Sequence, residues 1–212
     1  MLITFRTQFQ QNDLILGTNN TWHTLETCVW HSRFLLSGYE DLSSIYPQLE
    51  TFFVKHLKVK KVTPTMVIKE ISKMVGNKSP DYDNIRKRLV DVSRMLTTTK
   101  LDKATKDSLS DLAASKFLPK RLVGGGTTLL SRHDAYAIRD HARYGSAFEE
   151  HDILLDFSVE EVQIMNVMFT HIGVKRYYLS SLVIEKSTVE EDSEEDDSLT
   201  QQLQVKAYAL YW

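Results

Sequence analysis

Apolar residues recur every three or four positions in several stretches of the chain, a spacing typical of helices with one buried face. The first such stretch begins at Leu42. Pro47 lies near its front, where the missing N–H group of proline costs little. We expect one helix here, whose buried face is Ile45, Leu49, Phe52, Phe53 and Leu57.

Two further helices are predicted by their start signals. Thr63 followed by Pro64 indicates an N-cap and a first helical residue, and Gly76 is a plausible stop. Ser79-Pro80-Asp81 repeats the start signal. The buried faces are Val67, Ile68, Ile71, Met74 and Val75 in the first helix, and Tyr82, Ile85, Leu89, Val92 and Leu96 in the second. We expect an antiparallel pair joined by the GNKS turn.

The second half of the chain has a different pattern. KRLV and TTLL flank Gly124–Gly126, which predicts a β-hairpin. The segment 153–157, ILLDF, is typical of a short buried strand. Ser158 and Glu161 have the spacing of a capping box, and Gly173 ends the helix that they begin. Its apolar stripe is Val162, Met165, Phe169 and Ile172.

These elements predict an α+β fold, with a helical N-terminal half packed with a small mixed β-sheet and helices in the C-terminal half. We place a mainly helical lobe at 1–98, a Thr-, Lys- and Asp-rich linker at 99–119, and a mixed lobe at 120–212. A short helix is expected within 105–115. Residues 190–197 carry seven acidic side chains in eight positions, so a disordered loop is expected over 190–199.

The composition is that of an ordinary globular protein, with a net charge of -2, so it lacks the global basic bias of a nucleic-acid binder. No apolar run suits a transmembrane span or a signal peptide. The single cysteine, Cys28, cannot form an internal disulfide bond. We therefore expect a cytoplasmic or nuclear protein. The apolar C-terminus, VKAYALYW, suggests a fragment of a longer chain or a tail that docks into the core.

Histidines and carboxylates offer one weak candidate site. His133, Asp134, Asp140 and His141 are close in sequence, which would suit a metal-dependent hydrolase if a third ligand converged on them. No HExxH or Cys-x-x-Cys pattern accompanies any histidine, so surface or capping roles are the default. The seven histidines are His23, His31, His56, His133, His141, His151 and His171.

Three other patterns favour structural roles. Gly124–Gly126 lacks the following Gly-Lys-Ser/Thr of a phosphate-binding loop. The neighbours of Cys28, Val29 and Trp30, indicate a buried thiol rather than a nucleophile. Asp156 and Glu160-Glu161 are neighbouring carboxylates of the kind used in acid–base chemistry. They lie near a helix N-terminus, whose dipole attracts acidic groups, so a structural role is favoured.

Charged segments provide the remaining alternatives. The basic segment 55–61, KHLKVKK, and the run Arg86-Lys87-Arg88 are possible phosphate contacts of a nucleic-acid-binding module. Local charge runs are more often solvated faces. The acidic run could engage basic partners and accept phosphate at Ser193 or Ser198.

Several longer segments resemble one family. They are WHTLETCVW, IYPQLETFFVKHLKVKKVTPTMVIKEI and LLDFSVEEVQIMNVMFTHIGVKRYYLSSLVIEKSTV. In this order they are similar to segments of sacsin- and NO VEIN-like proteins, including large fungal members. Such proteins carry an N-terminal GHKL-type (Hsp90-like) ATPase domain with a D-x-G-x-G loop, and that loop is absent from this sequence. The resemblance therefore implies a region downstream of the ATPase domain, with no functional residue to transfer.

Together these observations predict a non-catalytic scaffolding or protein-interaction module of a chaperone-like, ATPase-related protein. No catalytic, cofactor-binding or metal-binding residue is assigned, and no cofactor is expected. Expected partners are other domains of the parent protein or protein clients, without a membrane. A nucleic-acid-binding module and a His/Asp-dependent hydrolase are the alternatives.

Overall fold

The computed structural model describes residues 2–30, 36–122, 124–149 and 153–185, with backbone only for residues 2–4. The chain divides into two units, residues 1–182 and residues 183–212. The described part of the second unit is Val183–Glu185, which forms no helix or strand. All elements below belong to the first unit.

Helices dominate the first unit. They are α1 (Leu2–Gln11), α2 (Leu42–Ile45), α3 (Pro64–Val75), α4 (Tyr82–Thr98), α5 (Lys103–Ala113), α6 (Ala142–Ala147), α7 (Val159–Ile172) and α8 (Leu179–Leu182). The strands are β1 (Ile15–Leu16), β2 (Trp22–His23), β3 (Cys28–Trp30), β4 (Glu40–Asp41), β5 (Lys60–Lys61), β6 (Lys116–Arg121) and β7 (Thr127–Ser131). The predicted α+β class is therefore confirmed.

The strands form three small sheets. β1 pairs with β2 in antiparallel orientation, and β6 pairs with β7 in the hairpin that the sequence predicts. The third sheet has the order β4-β3-β5, and both of its pairs are parallel. The strand predicted at 153–157 is reduced to two isolated β-bridges. Leu154 pairs with Ala137, and Leu155 pairs with Lys120.

The main core lies among α3, α4, α5, α7 and the β6–β7 hairpin. α4 packs against both α3 and α7, and α5 packs against α3. Most positions predicted for the buried faces are indeed buried, including Ile68, Leu89 and Phe169, each with 0% exposure. Burying such side chains contributes about 1.5–3 kcal/mol each, so this core accounts for much of the driving force for folding.

A second, smaller apolar cluster lies upstream of α3. Its buried members come from the first half of the chain: Ile15, Leu25, Cys28, Trp30, Leu42, Phe53, Leu57 and Val59. Trp30 stacks on Phe53 with ring centroids 5.9 Å apart. This cluster contains the parallel strand β3 and ends where α3 begins.

The predicted helix boundaries of α3 and α7 are confirmed in detail. The Thr63 hydroxyl accepts a hydrogen bond from the Met66 N–H group, and Pro64 is the first helical residue. Ser158 and Glu161 form the capping box, and Gly173 ends α7 with a φ of 75°. At α4 the N-cap is Asp81 rather than Ser79, because the Asp81 carboxylate accepts from the Asn84 N–H group.

The single helix expected from Leu42 is wrong. After α2 the backbone forms a 3-10 turn at Pro47–Leu49 and then a π-helical segment at Thr51–His56. Pro47 cannot donate a helical hydrogen bond, and it disfavours helical geometry at the residue before it. The break shifts the phase of the pattern, so Leu49 is 45% exposed whereas Leu57 is 1% exposed.

Other expectations also need correction. Residues 99–119 are not a linker. The short helix expected within 105–115 corresponds to α5, the segment also contains the start of β6, and Leu109, Leu112 and Phe117 lie in the main core. The main core thus draws on both sides of the expected boundary. α1 and α6 were not predicted. Within the described ranges, no helix has the length and apolar character needed to cross a bilayer.

The phase shift after Pro47 generates a prediction with a matched pair of variants. Leu57→Ala should lower the free energy of unfolding by about 2–5 kcal/mol, because it leaves a cavity in the upstream cluster. Leu49→Ala should lower it by about 1 kcal/mol or less, because that side chain is largely in solvent. Urea denaturation of both variants measures the difference. Equal losses would indicate the continuous helix instead.

Candidate functional site

A groove on the surface of α3 and α4 is the principal candidate site. It has a volume of about 430 Å³ and is lined by Leu36, Ser37, Glu70, Met74, Asn77, Ser79, Asp81, Asn84 and Arg88. α3 supplies one wall and α4 the other, and the turn between them closes one end. We call it the α3–α4 groove.

Two charged side chains form the floor of the α3–α4 groove. Glu70 is 8% exposed and Arg88 is 7% exposed, so both are more than nine-tenths buried. Glu70 Oε1 accepts a hydrogen bond from Ser37 Oγ at 2.6 Å, and Oε2 lies 3.9 Å from Lys73 Nζ. Burial lowers the pKa of the Arg88 guanidinium, and the nearby Glu70 and Asp91 carboxylates oppose that effect. A buried opposite charge is the usual condition for retaining such groups.

Two amide side chains are less buried members of the lining. Asn77 follows α3 and Asn84 is in the first turn of α4. Within the part of the chain that the structure describes, neither amide group has a hydrogen-bond partner. Asp81, by contrast, is engaged in capping α4. The Asn77 and Asn84 amides are therefore available both to donate to and to accept from a ligand.

The histidine and aspartate cluster predicted from sequence does not converge. His133 Nε2 accepts from Arg132 Nε at 3.1 Å, and Asp134 accepts from the Ser131 N–H group. Asp140 accepts from the N–H and hydroxyl groups of Ser180, while the His141 ring lies against Tyr144. The four groups thus have different partners.

No metal site can be built from the described residues. In 2–30, 36–122, 124–149 and 153–185, no three His, Cys, Asp or Glu side chains are placed to hold an ion. His31 and His151 lie outside the described residues. His23 Nε2 lies 3.9 Å from Glu40 Oε2.

Cys28 is in the setting that its neighbours predicted. Its side chain has 0% exposure in the upstream cluster, and Sγ donates to the Thr24 carbonyl oxygen at 3.3 Å. Burial, assisted by the negative charge of Glu40, raises the pKa of the thiol to about 12. Because the thiolate is the nucleophilic form, both the burial and the raised pKa disfavour a nucleophilic role for this cysteine near neutral pH.

The glycine run is a turn, as the hairpin prediction requires. Gly124, Gly125 and Gly126 all have φ values between 92° and 97°, a region that only glycine adopts readily. A strand follows them instead of a helix, so the N-terminal helix dipole of a phosphate-binding loop is missing.

The acidic groups near Ser158 have structural roles. Glu161 Oε2 accepts from the Ser158 N–H group to complete the capping box. The same carboxylate binds the guanidinium of Arg86 on α4, with distances of 3.2 Å from Nε and 2.8 Å from Nη2. Asp156 lies 3.4 Å from Arg121 Nη2. The cross-helix pair was not predicted from sequence.

The two basic segments differ in the fold: the side chains of 86–88 have three different surroundings, whereas Lys55, His56, Lys58, Lys60 and Lys61 are all exposed. In the run 86–88, Arg86 pairs with Glu161, Lys87 pairs with Asp83, and Arg88 is on the floor of the α3–α4 groove. In 55–61, Leu57 and Val59 are buried, whereas Lys60 and Lys61 are exposed on β5. The acidic run 190–197, with Ser193 and Ser198, lies outside the described residues.

Part of the chain is similar to a known protein family. A family model described as a domain of unknown function (DUF8348) matches residues 65–183, more than half of the chain. The chain belongs to the DUF8348 family. No curated protein and no solved structure matches it.

The DUF8348 match coincides with the main core. It begins one residue into α3 and ends one residue after α8. All but two of the residues that line the α3–α4 groove lie inside the match, the exceptions being Leu36 and Ser37. The groove is therefore built mainly on the DUF8348 domain, and the upstream segment contributes the hydroxyl group that binds Glu70.

Sequence reasoning missed the α3–α4 groove although a signal was present. Glu70 follows the buried positions Val67 and Ile68, and Arg88 precedes the buried Leu89. A charged residue on the edge of an apolar stripe is unusual, because charges are rarely buried without a partner. That signal identifies two buried charges but does not show that both line one groove.

The thiol of Cys28 yields a direct prediction. At pH 8 the native protein should react with a disulfide reagent such as DTNB at least about tenfold more slowly than unfolded protein in guanidinium chloride, since the native thiol is buried and protonated. Absorbance at the product wavelength follows the reaction. As Cys28 is the only cysteine, Cys28→Ser provides the blank. Equal rates would contradict the burial.

The cross-helix pair of Arg86 and Glu161 yields a second prediction. Glu161→Gln keeps a capping side chain but loses the charge facing Arg86, and should lower the free energy of unfolding by about 1 kcal/mol. Glu160→Gln is the matched control, because the exposed Glu160 carboxylate accepts from the Ser158 hydroxyl, whereas Arg86 donates to Glu161. Chemical denaturation of both proteins, repeated with Arg86→Met, measures the coupling. Equal effects of the two substitutions would argue against the pair.

Proposed function

We propose that this chain is a non-catalytic protein-interaction module that holds an extended peptide segment of a partner in the α3–α4 groove. The observation that carries the proposal is the combination of the buried Glu70 and Arg88 with the open amides of Asn77 and Asn84. A peptide backbone alternates N–H donors and carbonyl acceptors, and the amide groups of Asn77 and Asn84 supply both kinds of group.

The size and lining of the α3–α4 groove support this proposal. Its volume of about 430 Å³ falls within the range of about 300–1,000 Å³ that is typical of ligand sites. Leu36 and Met74 add apolar surface. Methionine adapts to different side chains and is common at promiscuous binding surfaces. Such a lining suits a protein that takes more than one client segment.

The side chains of the α3–α4 groove favour binding over catalysis. In the lining of the α3–α4 groove, the Ser37 hydroxyl donates to the Glu70 carboxylate, with 2.6 Å between Oγ and Oε1. Activated serine generally relies on a histidine or lysine base, and neither residue type lines the groove. Glu70 is moreover engaged by the positive charges of Arg88 and Lys73. We therefore assign its carboxylate to binding and positioning.

The wider context is also a proposal. The similarity to sacsin- and NO VEIN-like proteins suggests that the module works beside a GHKL-type ATPase domain, in the cytoplasm or nucleus, and receives clients or neighbouring domains. The parent reading frame tests this idea. A D-x-G-x-G loop encoded upstream would support it, and a complete parent gene without a GHKL domain would overturn it.

The peptide-binding proposal predicts the behaviour of groove variants. The purified chain should bind a subset of hexapeptides on a degenerate array, and Asn77→Ala combined with Asn84→Ala should weaken that binding by about tenfold, because each lost hydrogen bond contributes about 0.5–1.5 kcal/mol. Asn12→Ala, on the surface after α1, is the matched control. Fluorescence anisotropy with a selected peptide gives the dissociation constants.

Two outcomes would contradict this function. One is a complete lack of peptide binding by folded protein. The other is binding that the double Asn variant and the Asn12→Ala control change equally. Thermal denaturation of each variant separates loss of binding from loss of folding, and both asparagines are on the surface, where substitutions usually change stability by about 0.5 kcal/mol or less.

A further inference from the structure

A second cavity lies on the first unit, remote in sequence from the residues of the α3–α4 groove. It has a volume of about 220 Å³, and its polar lining consists of Lys106, Ser110, Arg132 and His171. Leu109, Ala113 and Ile172 form its apolar lining. We call this cavity the cationic cleft.

The charge of the cationic cleft is unbalanced. Lys106 comes from α5, Arg132 directly follows β7, and His171 is in the last turn of α7. No carboxylate lines the cavity. Across the described part of the chain, none of these three basic side chains forms an ion pair. Asp134, the acidic residue adjacent in sequence, has its carboxylate turned to the Ser131 N–H group at 2.7 Å.

Three separate elements thus bring cationic or hydrogen-bonding groups to one concave site. Lysine offers three donors and arginine five, and a serine hydroxyl adds another. Charge-assisted hydrogen bonds to an oxyanion are about twice as strong as neutral ones. The volume is below the range of about 300–1,000 Å³ for drug-sized ligands, which suits one anionic group better than a whole nucleotide.

We propose that the cationic cleft binds a single tetrahedral oxyanion, either inorganic phosphate or the phosphate group of a small monoester. Lys106 and Arg132 supply the charge, while Ser110 and His171 supply further hydrogen-bonding groups. This site is independent of the peptide-binding proposal, because it shares no lining residue with the α3–α4 groove.

A structural explanation competes with this one. α5 ends at Ala113 and α7 ends at Ile172, so the carbonyl ends of two helices face the same region. Their partial negative charge alone favours nearby cations, and this would account for His171, which is in the last turn of α7. The effect does not reach Lys106, since the last turn of α5 contains no basic residue. It does not account for Arg132, which is on neither helix and whose Nε donates to His133. The two explanations differ in whether an added anion binds.

The test is a titration of the full chain with inorganic phosphate, followed by amide chemical shifts in NMR spectra at constant ionic strength with chloride as the reference salt. We expect saturable shifts in the last turns of α5 and α7 and after β7. Lys106→Gln and Arg132→Gln should each weaken binding by about tenfold, which corresponds to the loss of one charge-assisted contact. Lys69→Gln, an exposed lysine on α3, should leave it unchanged.

Additional measurements identify the source of the oxyanion and distinguish loss of binding from loss of folding. Phenyl phosphate binding at least as tightly as inorganic phosphate would assign the site to monoesters, and weaker binding would assign it to free phosphate. Lys106→Arg should retain binding, and melting temperatures report folding. If Arg132→Gln fails to fold, the phosphate affinities of Arg132→Lys and Lys106→Gln test the site instead.

The proposal is overturned if phosphate produces no saturable shifts, if Lys69→Gln weakens binding equally, or if duplex DNA binds through these residues whereas phosphate does not.

Discussion

The packing of α4 against α3 on one side and α7 on the other is the constraint on which the rest of the structure depends. Ile85, Leu89 and Val92 are completely buried in this position, and a helix held on both sides has little freedom to rotate. Its charged residues therefore have fixed directions. Arg86 contacts Glu161 on α7, and Arg88 is buried in the lining of the α3–α4 groove, which also contains Glu70 of α3. The same apolar contacts thus support both the core and the floor of the α3–α4 groove.

The sequence predicted element boundaries correctly where the local signals were strong. The N-cap at Thr63, the capping box at Ser158 and the glycine turn at 124–126 each depend on a few neighbouring residues, so the pattern was sufficient. Prediction failed where a single residue overrode a periodic pattern, as Pro47 did. It also failed for α1 and α6, whose helical state lacks a strong apolar stripe and depends on tertiary contacts.

The candidate sites were less predictable than the fold. Glu70 and Arg88 are eighteen positions apart in sequence, and the residues of the cationic cleft come from three elements. Sequence identifies the residue types but not their convergence. The cluster that sequence did suggest, His133 to His141, has short spacing, yet the extended backbone at Ala137 and Ile138 directs its members to separate partners. Proximity along the chain was therefore a poor guide to proximity in space.

The buried state of Cys28 has a practical consequence. A protein whose only thiol is inaccessible can receive one new cysteine at a chosen surface position without removal of the native residue. Spin labels or fluorophores placed in this way at the rim of the α3–α4 groove would report ligand binding there in the otherwise unaltered chain. The residue that sequence reasoning set aside as a small hydrophobe thus makes the protein well suited to spectroscopic distance measurement.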